Sequence, residues 1–133
     1  MLGLPSTMQK EVFELTITEA ELAKHATAPR VTPADIEANI KHCFFTTGYA
    51  AAISGVSEDA SPSVDMPEEL RLLTVCLMVL QNGYTLIGHS ACASKANFNE
   101  DIGQRLARED CIRQMWGPMG YHLRQTLHEA GEA

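Results

Sequence analysis

Three arginines, Arg105, Arg108 and Arg113, fall close together in the C-terminal third of a 133-residue chain. A guanidinium is planar and permanently charged, so it can grip a phosphate with two parallel hydrogen bonds. Asp101 precedes Arg105 by four residues and Glu109 precedes Arg113 by four. On a helix those spacings make surface ion pairs worth about 0.2–0.5 kcal/mol each, and the plain reading of the group is a solvated helix face. Arg108 has Gln104, not an acid, at that offset and lies one turn from Arg105. Should a pocket form beside this helix, Arg105 and Arg108 are the pair expected to hold a phosphate. Tyr84 follows an Asn-Gly pair and offers a ring that can stack on a base, although aromatics are ordinary strand residues. Asn97, at the expected helix start, brings backbone amides that attract an anion, as every helix start does.

Other reactive groupings are incomplete. His89-Ser90-Ala91-Cys92 sets an imidazole and a thiol three residues apart, but a structural zinc site takes about four ligands and no second pair accompanies them. Ser90 beside His89 has no Gly-x-Ser-x-Gly around it and no acidic group to orient the imidazole. Neither a Walker loop nor a Gly-x-Gly-x-x-Gly is present, and Glu109 and Asp110, being adjacent on a helix, point in different directions. No metal, no cofactor and no catalytic constellation are expected, so the residues read as a binding protein and not as an enzyme.

The elements that must position these residues run from Leu70 to Leu127. Leu72–Leu80 is apolar without alternation, as in a strand covered on both faces or lying at a subunit interface. Asn82-Gly83 predicts a tight type I′ hairpin with positive φ at both residues. The return strand carries Tyr84, Leu86 and Gly88 on one face and Thr85, Ile87 and His89 on the other. Gly88 marks a bulge or the close approach of a ligand or neighbouring backbone. A long helix capped by Asn97, with Ser94 as the alternative, then runs to about His128. Its expected buried stripe is Phe98, Ile102, Leu106, Ile112, Trp116, Met119, Leu123 and Leu127. Gly117-Pro118 should kink or divide it.

Upstream, Thr32-Pro33-Ala34-Asp35 is a clear helix start, with Ile36 and Ile40 on a narrow apolar face. Phe44–Thr47 is extended and stops at Gly48. Glu11–Ile17 alternates like a short strand, and Thr18 opens a short helix through Lys24; an extended arm swapped onto a partner is equally consistent with these residues. Residues 55–67 read as a mobile loop, and residues 1–30 as an arm of a single domain spanning 1–133. The class is α+β: a small antiparallel sheet with an Asn-Gly hairpin, a short N-terminal helix and a long kinked C-terminal helix pair.

Composition narrows the partners. The net charge of −7 arises entirely through Leu70, where four basic residues face eleven acidic ones; after it six balance six. Such a chain is unsuited to a nucleic-acid polymer, yet a few arginines can still act locally on a small anion. No apolar stretch is long enough for a membrane span. No secretion signal is recognisable and the four cysteines are irregularly spaced, so cytoplasm is the expected compartment.

The segment Leu73–Cys76, then Gln81-Asn82-Gly83-Tyr84 through Ser94, resembles a group of small tailed-phage proteins of unassigned function. The likeness continues through Asn97-Phe98, Ile102-Gly103, Ala107-Arg108-Glu109, Trp116 and Met119-Gly120-Tyr121. Upstream it includes Val31–Glu37 and Phe44-Phe45-Thr46. That group is similar in turn to the first family of Thoeris anti-defence proteins, phage sponges that sequester cyclic ADP-ribose isomers made by bacterial TIR immune enzymes without degrading them. Some members form hexamers that hold cyclic oligonucleotides. The resemblance implies a homodimer or a trimer of dimers in the host cytoplasm, with ligand between subunits. It implies Tyr84 stacked on adenine and Arg105 and Arg108 on phosphates or ribose; Asn97 and Arg113 complete the expected ligand-binding set. Two other functions compete: an acidic interaction module that inhibits a host protein, and a hydrolase of the same nucleotides.

Overall fold

The computed structural model describes residues 16–55 and 65–132. The chain divides into two compact units, residues 1–30 and 31–133. In the first, Thr18 caps helix α1 (Glu19–His25) by accepting the Glu21 amide at 3.1 Å. Glu19 and Glu21 lie at the positive end of the helix dipole and Lys24 and His25 at the negative end. Arg30 pairs with Glu19. The expected strand Glu11–Ile17 falls largely outside the described residues, as does most of the expected loop 55–67.

The second unit opens on a reciprocal cap. Thr32 Oγ1 accepts the Asp35 amide at 3.1 Å, and the Asp35 carboxylate accepts the Thr32 amide at 2.8 Å. Proline fits the first position of helix α2 (Pro33–Asn39), where no amide donor is needed. Ile36 is buried beneath it. Strand β1 (Ile40–Thr47) follows without a loop, so Ile40 belongs to the sheet and not to the helix face expected of it. Helix α3 (Gly48–Gly55) was not foreseen. A 3-10 turn over Glu68–Leu72 leads into β2 (Leu73–Leu80), and β3 (Thr85–Ala91) returns beside it. The three strands form an antiparallel sheet in the order β1-β2-β3. After a 3-10 turn at Lys95–Asn97, helix α4 (Glu100–Glu129) completes an α+β fold. Among the described residues no helix is long and apolar enough to cross a membrane.

Three expectations are corrected. The hairpin is not type I′: only Gly83, at φ +89°, has positive φ, and Asn82 does not. Gly83 N–H donates to the Leu80 carbonyl at 2.9 Å, and the Asn82 side-chain oxygen accepts the Tyr84 amide at 2.9 Å. This is the three-residue loop closed by a left-handed glycine, in which asparagine works through its side chain. Secondly, α4 is one helix. Pro118 lies inside its single span, so there is no helix pair. Thirdly, the cap is Asn99, whose side-chain oxygen accepts the Ile102 amide at 3.0 Å. Asn97 lies back in the 3-10 turn, its own amide bonded to the Ser94 carbonyl at 3.1 Å.

The core lies between one face of the sheet and α4. On β2, Thr74, Cys76, Met78 and Leu80 are buried, whereas Leu73, Val75, Leu77 and Val79 are not. Among the described residues, therefore, β2 is fully covered on one face and only partly on the other. The helix docks through Ala107, Cys111 and Met115, all fully buried, while Ile102, Leu106 and Trp116 of the expected stripe are exposed. The reason is proximity. A Cβ on Gly88 would lie 2.3 Å from the Ala107 carbonyl oxygen and 2.8 Å from the Cys111 amide nitrogen, and one on Gly103 would lie 2.6 Å from Thr74 Oγ1. Glycine on both elements brings backbone onto backbone, and where Gly88 meets α4 the helix presents the small residues Ala107 and Cys111. Gly88 thus marks the close approach of neighbouring backbone. Burial of a side chain such as Met78 in this seam contributes roughly 1.5–3 kcal/mol.

Two helix side chains also secure the edge of the sheet. Asp110 accepts the His89 amide at 2.9 Å, and Gln114, one turn on, donates to the Ile87 carbonyl at 2.8 Å. Both groups belong to β3, the strand at one end of the sheet order.

Candidate functional site

The three arginines occupy different surroundings along α4. Arg105 pairs with Asp101 at 3.2 Å, as its spacing predicts, and both side chains are largely exposed. Arg113 turns to Asp110 at 3.3 Å instead of Glu109. Asp110 is already held at the β3 edge by the His89 amide, which together with Arg113 keeps its carboxyl below the usual range. Arg108 finds a partner that spacing could not reveal: both oxygens of Glu37 on α2, at 3.0 and 2.6 Å. The guanidinium lowers the Glu37 pKa, and the carboxylate raises that of Arg108. Arg108 and Arg113 thus lie on opposite flanks of the helix, one against α2 and one beside β3.

Tyr84, half exposed, stands at the hairpin end of β3. Its far end, Ala91, is seven residues away, about 23 Å at the rise of a strand. There the chain forms a pocket of about 290 Å³. Leu72, Phe98, Ile102 and Leu106 supply apolar walls; Ser90, Asn97 and Asn99 supply polar edges. The Ser90 hydroxyl donates to the Gly103 carbonyl at 2.7 Å, which ties β3 to the first turns of α4. Of the five expected site residues, only Asn97 lines this pocket. Arg105 lies on the helix between two of its lining residues, Ile102 and Leu106. The Asn97 and Phe98 amides are already bonded to the Ser94 and Lys95 carbonyls. The anion-binding role expected of the amides near Asn97 thus loses these two donors.

The pocket walls were read from the sequence as part of a buried stripe. Phe98, Ile102 and Leu106 do share one side of the helix start, but that side faces a hollow. The polar stretch between Ala93 and Asn99 was the available signal, since it is the connection from β3 to α4 that borders the pocket.

Residues 31–127 match the family model described as the phage protein (N4 Gp49/phage Sf6 gene 66) family. The chain belongs to that family. No curated protein and no solved structure matches it. The matched span begins where the second compact unit begins, and it contains the sheet, the pocket and all five expected site residues.

Three cysteines of this family member also converge inside the matched span. Cys43 Sγ on β1 lies 3.4 Å from Cys76 Sγ on β2, and the Cys111 thiol on α4 donates to the Cys76 carbonyl at 3.8 Å. Burial is the largest cause raising the Cys76 and Cys111 pKa values, so both stay protonated and pack as small hydrophobes. Among the described residues, no group of three or more His, Cys, Asp or Glu is placed to hold a metal ion.

Proposed function

We propose that this phage protein binds and sequesters a cyclic nucleotide immune signal in the host cytoplasm, without cleaving it and as a homo-oligomer. The observation that carries the proposal is the pocket beneath Phe98. Its apolar walls suit a base, and Asn97 and Asn99 at its edge suit the hydrogen-bonding rim of one. Arg105 stands beside it on α4, paired only with an exposed Asp101 in a bond that solvent screens. A phosphate can displace such a partner. Displacing Glu37 from Arg108 takes more, because two short hydrogen bonds hold it.

The size of the pocket argues for the oligomer. At about 290 Å³ it matches the smallest ligand sites, which span about 300–1,000 Å³. It therefore encloses one base and leaves the rest of a cyclic nucleotide outside. Tyr84 lies too far along the same chain to cover that remainder, so a second copy must supply the other wall. In this reading Tyr84 stacks from the second copy, Arg105 takes phosphate or ribose, and Arg108 and Arg113 contribute from the flanks.

The test is a capture assay. The purified protein is incubated with cyclic ADP-ribose isomers and with cyclic di- and trinucleotides, filtered, then heat-denatured. Depletion followed by recovery of unaltered ligand is the expected result. Recovery of a changed ligand would make the protein an enzyme, and no depletion of any ligand would remove both nucleotide readings. Arg105→Ala should weaken capture more than Arg108→Ala, with the oligomer intact in both; unchanged capture in both variants would take the arginines out of the site.

A further inference from the structure

Cys43 is the accessible member of the three-thiol cluster. It is half-buried on β1, whereas Cys76 and Cys111 are fully buried. Its sulfur touches that of Cys76 at 3.4 Å. The Cys111 thiol turns instead to the Cys76 carbonyl oxygen, 3.8 Å away. On the side of α2, the Arg108 guanidinium that grips Glu37 also lies within hydrogen-bonding reach of Cys43. One reachable sulfur thus has a cation on one side and a second sulfur in contact on the other.

We propose that Cys43 and Cys76 are a site of reversible oxidation by a hydroperoxide, in which Cys43 attacks and Cys76 closes a disulfide between β1 and β2. In the first step the Cys43 sulfur attacks one peroxide oxygen. An S–O bond forms and the O–O bond breaks; sulfur is oxidised, the peroxide is reduced, and with hydrogen peroxide the departing oxygen leaves as water with the Cys43 proton. Arg108 stabilises the negative charge that builds on the reacting atoms. In the second step the Cys76 sulfur attacks the Cys43 sulfenic acid. The S–S bond forms as the S–O bond breaks, and the Cys76 proton leaves with the hydroxyl as a second water. Cys76 needs no prior ionisation, because the group that leaves takes up its proton. A dithiol reverses the product by thiol–disulfide exchange.

The fold leaves room for this bond. Cys43 is opposite Met78 and Cys76 is opposite Phe45, so the two cysteines are diagonal neighbours on an antiparallel pair. Such neighbours stand about 7–8 Å apart, whereas a disulfide joins Cα atoms about 4.4–6.8 Å apart. Bond formation therefore draws the strands together at this point. β1 can yield, because it is an end strand and its ladder is already interrupted between Ile40 and His42, just before Cys43. The other pairing, Cys76 with Cys111, is disfavoured. Both residues are sealed from solvent, and α4 is already seated against Gly88 at Cys111.

No ligand takes part, so the free protein suffices for the test. The reduced full chain is treated with hydrogen peroxide, alkylated and digested without reductant. Mass spectrometry should find the Cys43 and Cys76 peptides joined within one chain, and dithiothreitol should separate them. Cys92, half-buried just past β3 with its thiol on the Ser94 carbonyl at 3.1 Å, is the internal control and should remain unlinked. Cys43→Ala, at a half-buried position, should abolish the link, and Cys111→Ala should keep it. In Cys76→Ala, Cys43 should stop at the sulfenic acid and be labelled by dimedone. Should that variant fail to fold, the wild type and Cys43→Ala still decide. Arg108→Ala should slow loss of the Cys43 thiol several-fold relative to Cys92 in the same molecule, and Arg108→Lys should restore most of the rate. An unchanged ratio would overturn the role given to Arg108. Absence of the Cys43–Cys76 link under peroxide that oxidises Cys92, a link between two chains, or a link through Cys111 would overturn the proposal.

Discussion

The two faces of the sheet are made from the same strands by alternate residues, and both are largely apolar. On the covered face the closest packing is by small groups: Gly88 against the Ala107 carbonyl, Gly103 against Thr74, and Cys76 against Cys43 and Cys111. On the open face the groups are large, with Phe44, Leu77 and Ile87 in the central row. Small residues permit backbones to approach and therefore commit the strand to one neighbour, inside the chain. Large residues cover area without dictating how closely anything approaches. Hydrophobicity alone does not distinguish the two faces here; the close approach of α4 at Gly88 and Gly103 does.

The covered face should fail first and most. Gly88→Val places a Cβ 2.3 Å from the Ala107 carbonyl oxygen. Urea unfolding is expected to show a loss of about 3 kcal/mol or more, or no folded protein. A folded variant of near-normal stability would mean that α4 is not seated on β3 as described. Met78→Ala should cost about 2–4 kcal/mol by the same measurement, against less than about 1 kcal/mol for Ile87→Ala at concentrations where the chain is monomeric. Equal losses would erase the distinction between the two faces. Thr74 sharpens it in the opposite direction. Its hydroxyl is buried on the covered face with no hydrogen-bond partner among the described residues, and Thr74→Val should stabilise the protein by about 1 kcal/mol. A loss instead would indicate that the hydroxyl is satisfied.

The smallest expected effect concerns the ion pairs at the helix flanks. Glu37 and Asp110 both have folded pKa values below their ordinary range. Their contribution is fully present above the unfolded values, about 4, and is lost as pH falls through the lower folded values. Glu37→Gln should therefore narrow the stability gap between pH 7 and pH 3 without enlarging it at pH 3. A gap unchanged by the substitution would show that Arg108 gains nothing from its partner.

Where a local cause determined the structure, the sequence revealed it. Thr32-Pro33-Ala34-Asp35 and Thr18 announce their caps because the bonds close within three residues. Gly88 announced a close approach because an isolated glycine within a strand calls for an explanation. The face of α4 could not be read in this way. Ile102 and Leu106 are more hydrophobic than Gly103 and Ala107, one position on, and the seam selects by size against hydrophobicity. Arg108 and Glu37 are 71 residues apart, so only the assembled sheet brings them together. The pocket was hidden for a related reason: Phe98, Ile102 and Leu106, side chains expected in the core, line a hollow instead.

The bonds from Asp110 and Gln114 to β3 bear on how many copies can join. A bare strand at the end of a sheet invites another strand to add, and each addition exposes a fresh one, so growth has no natural stop. Here helix side chains occupy the His89 amide and the Ile87 carbonyl, and no incoming strand can use them without breaking those bonds. Lateral extension past β3 is thereby blocked.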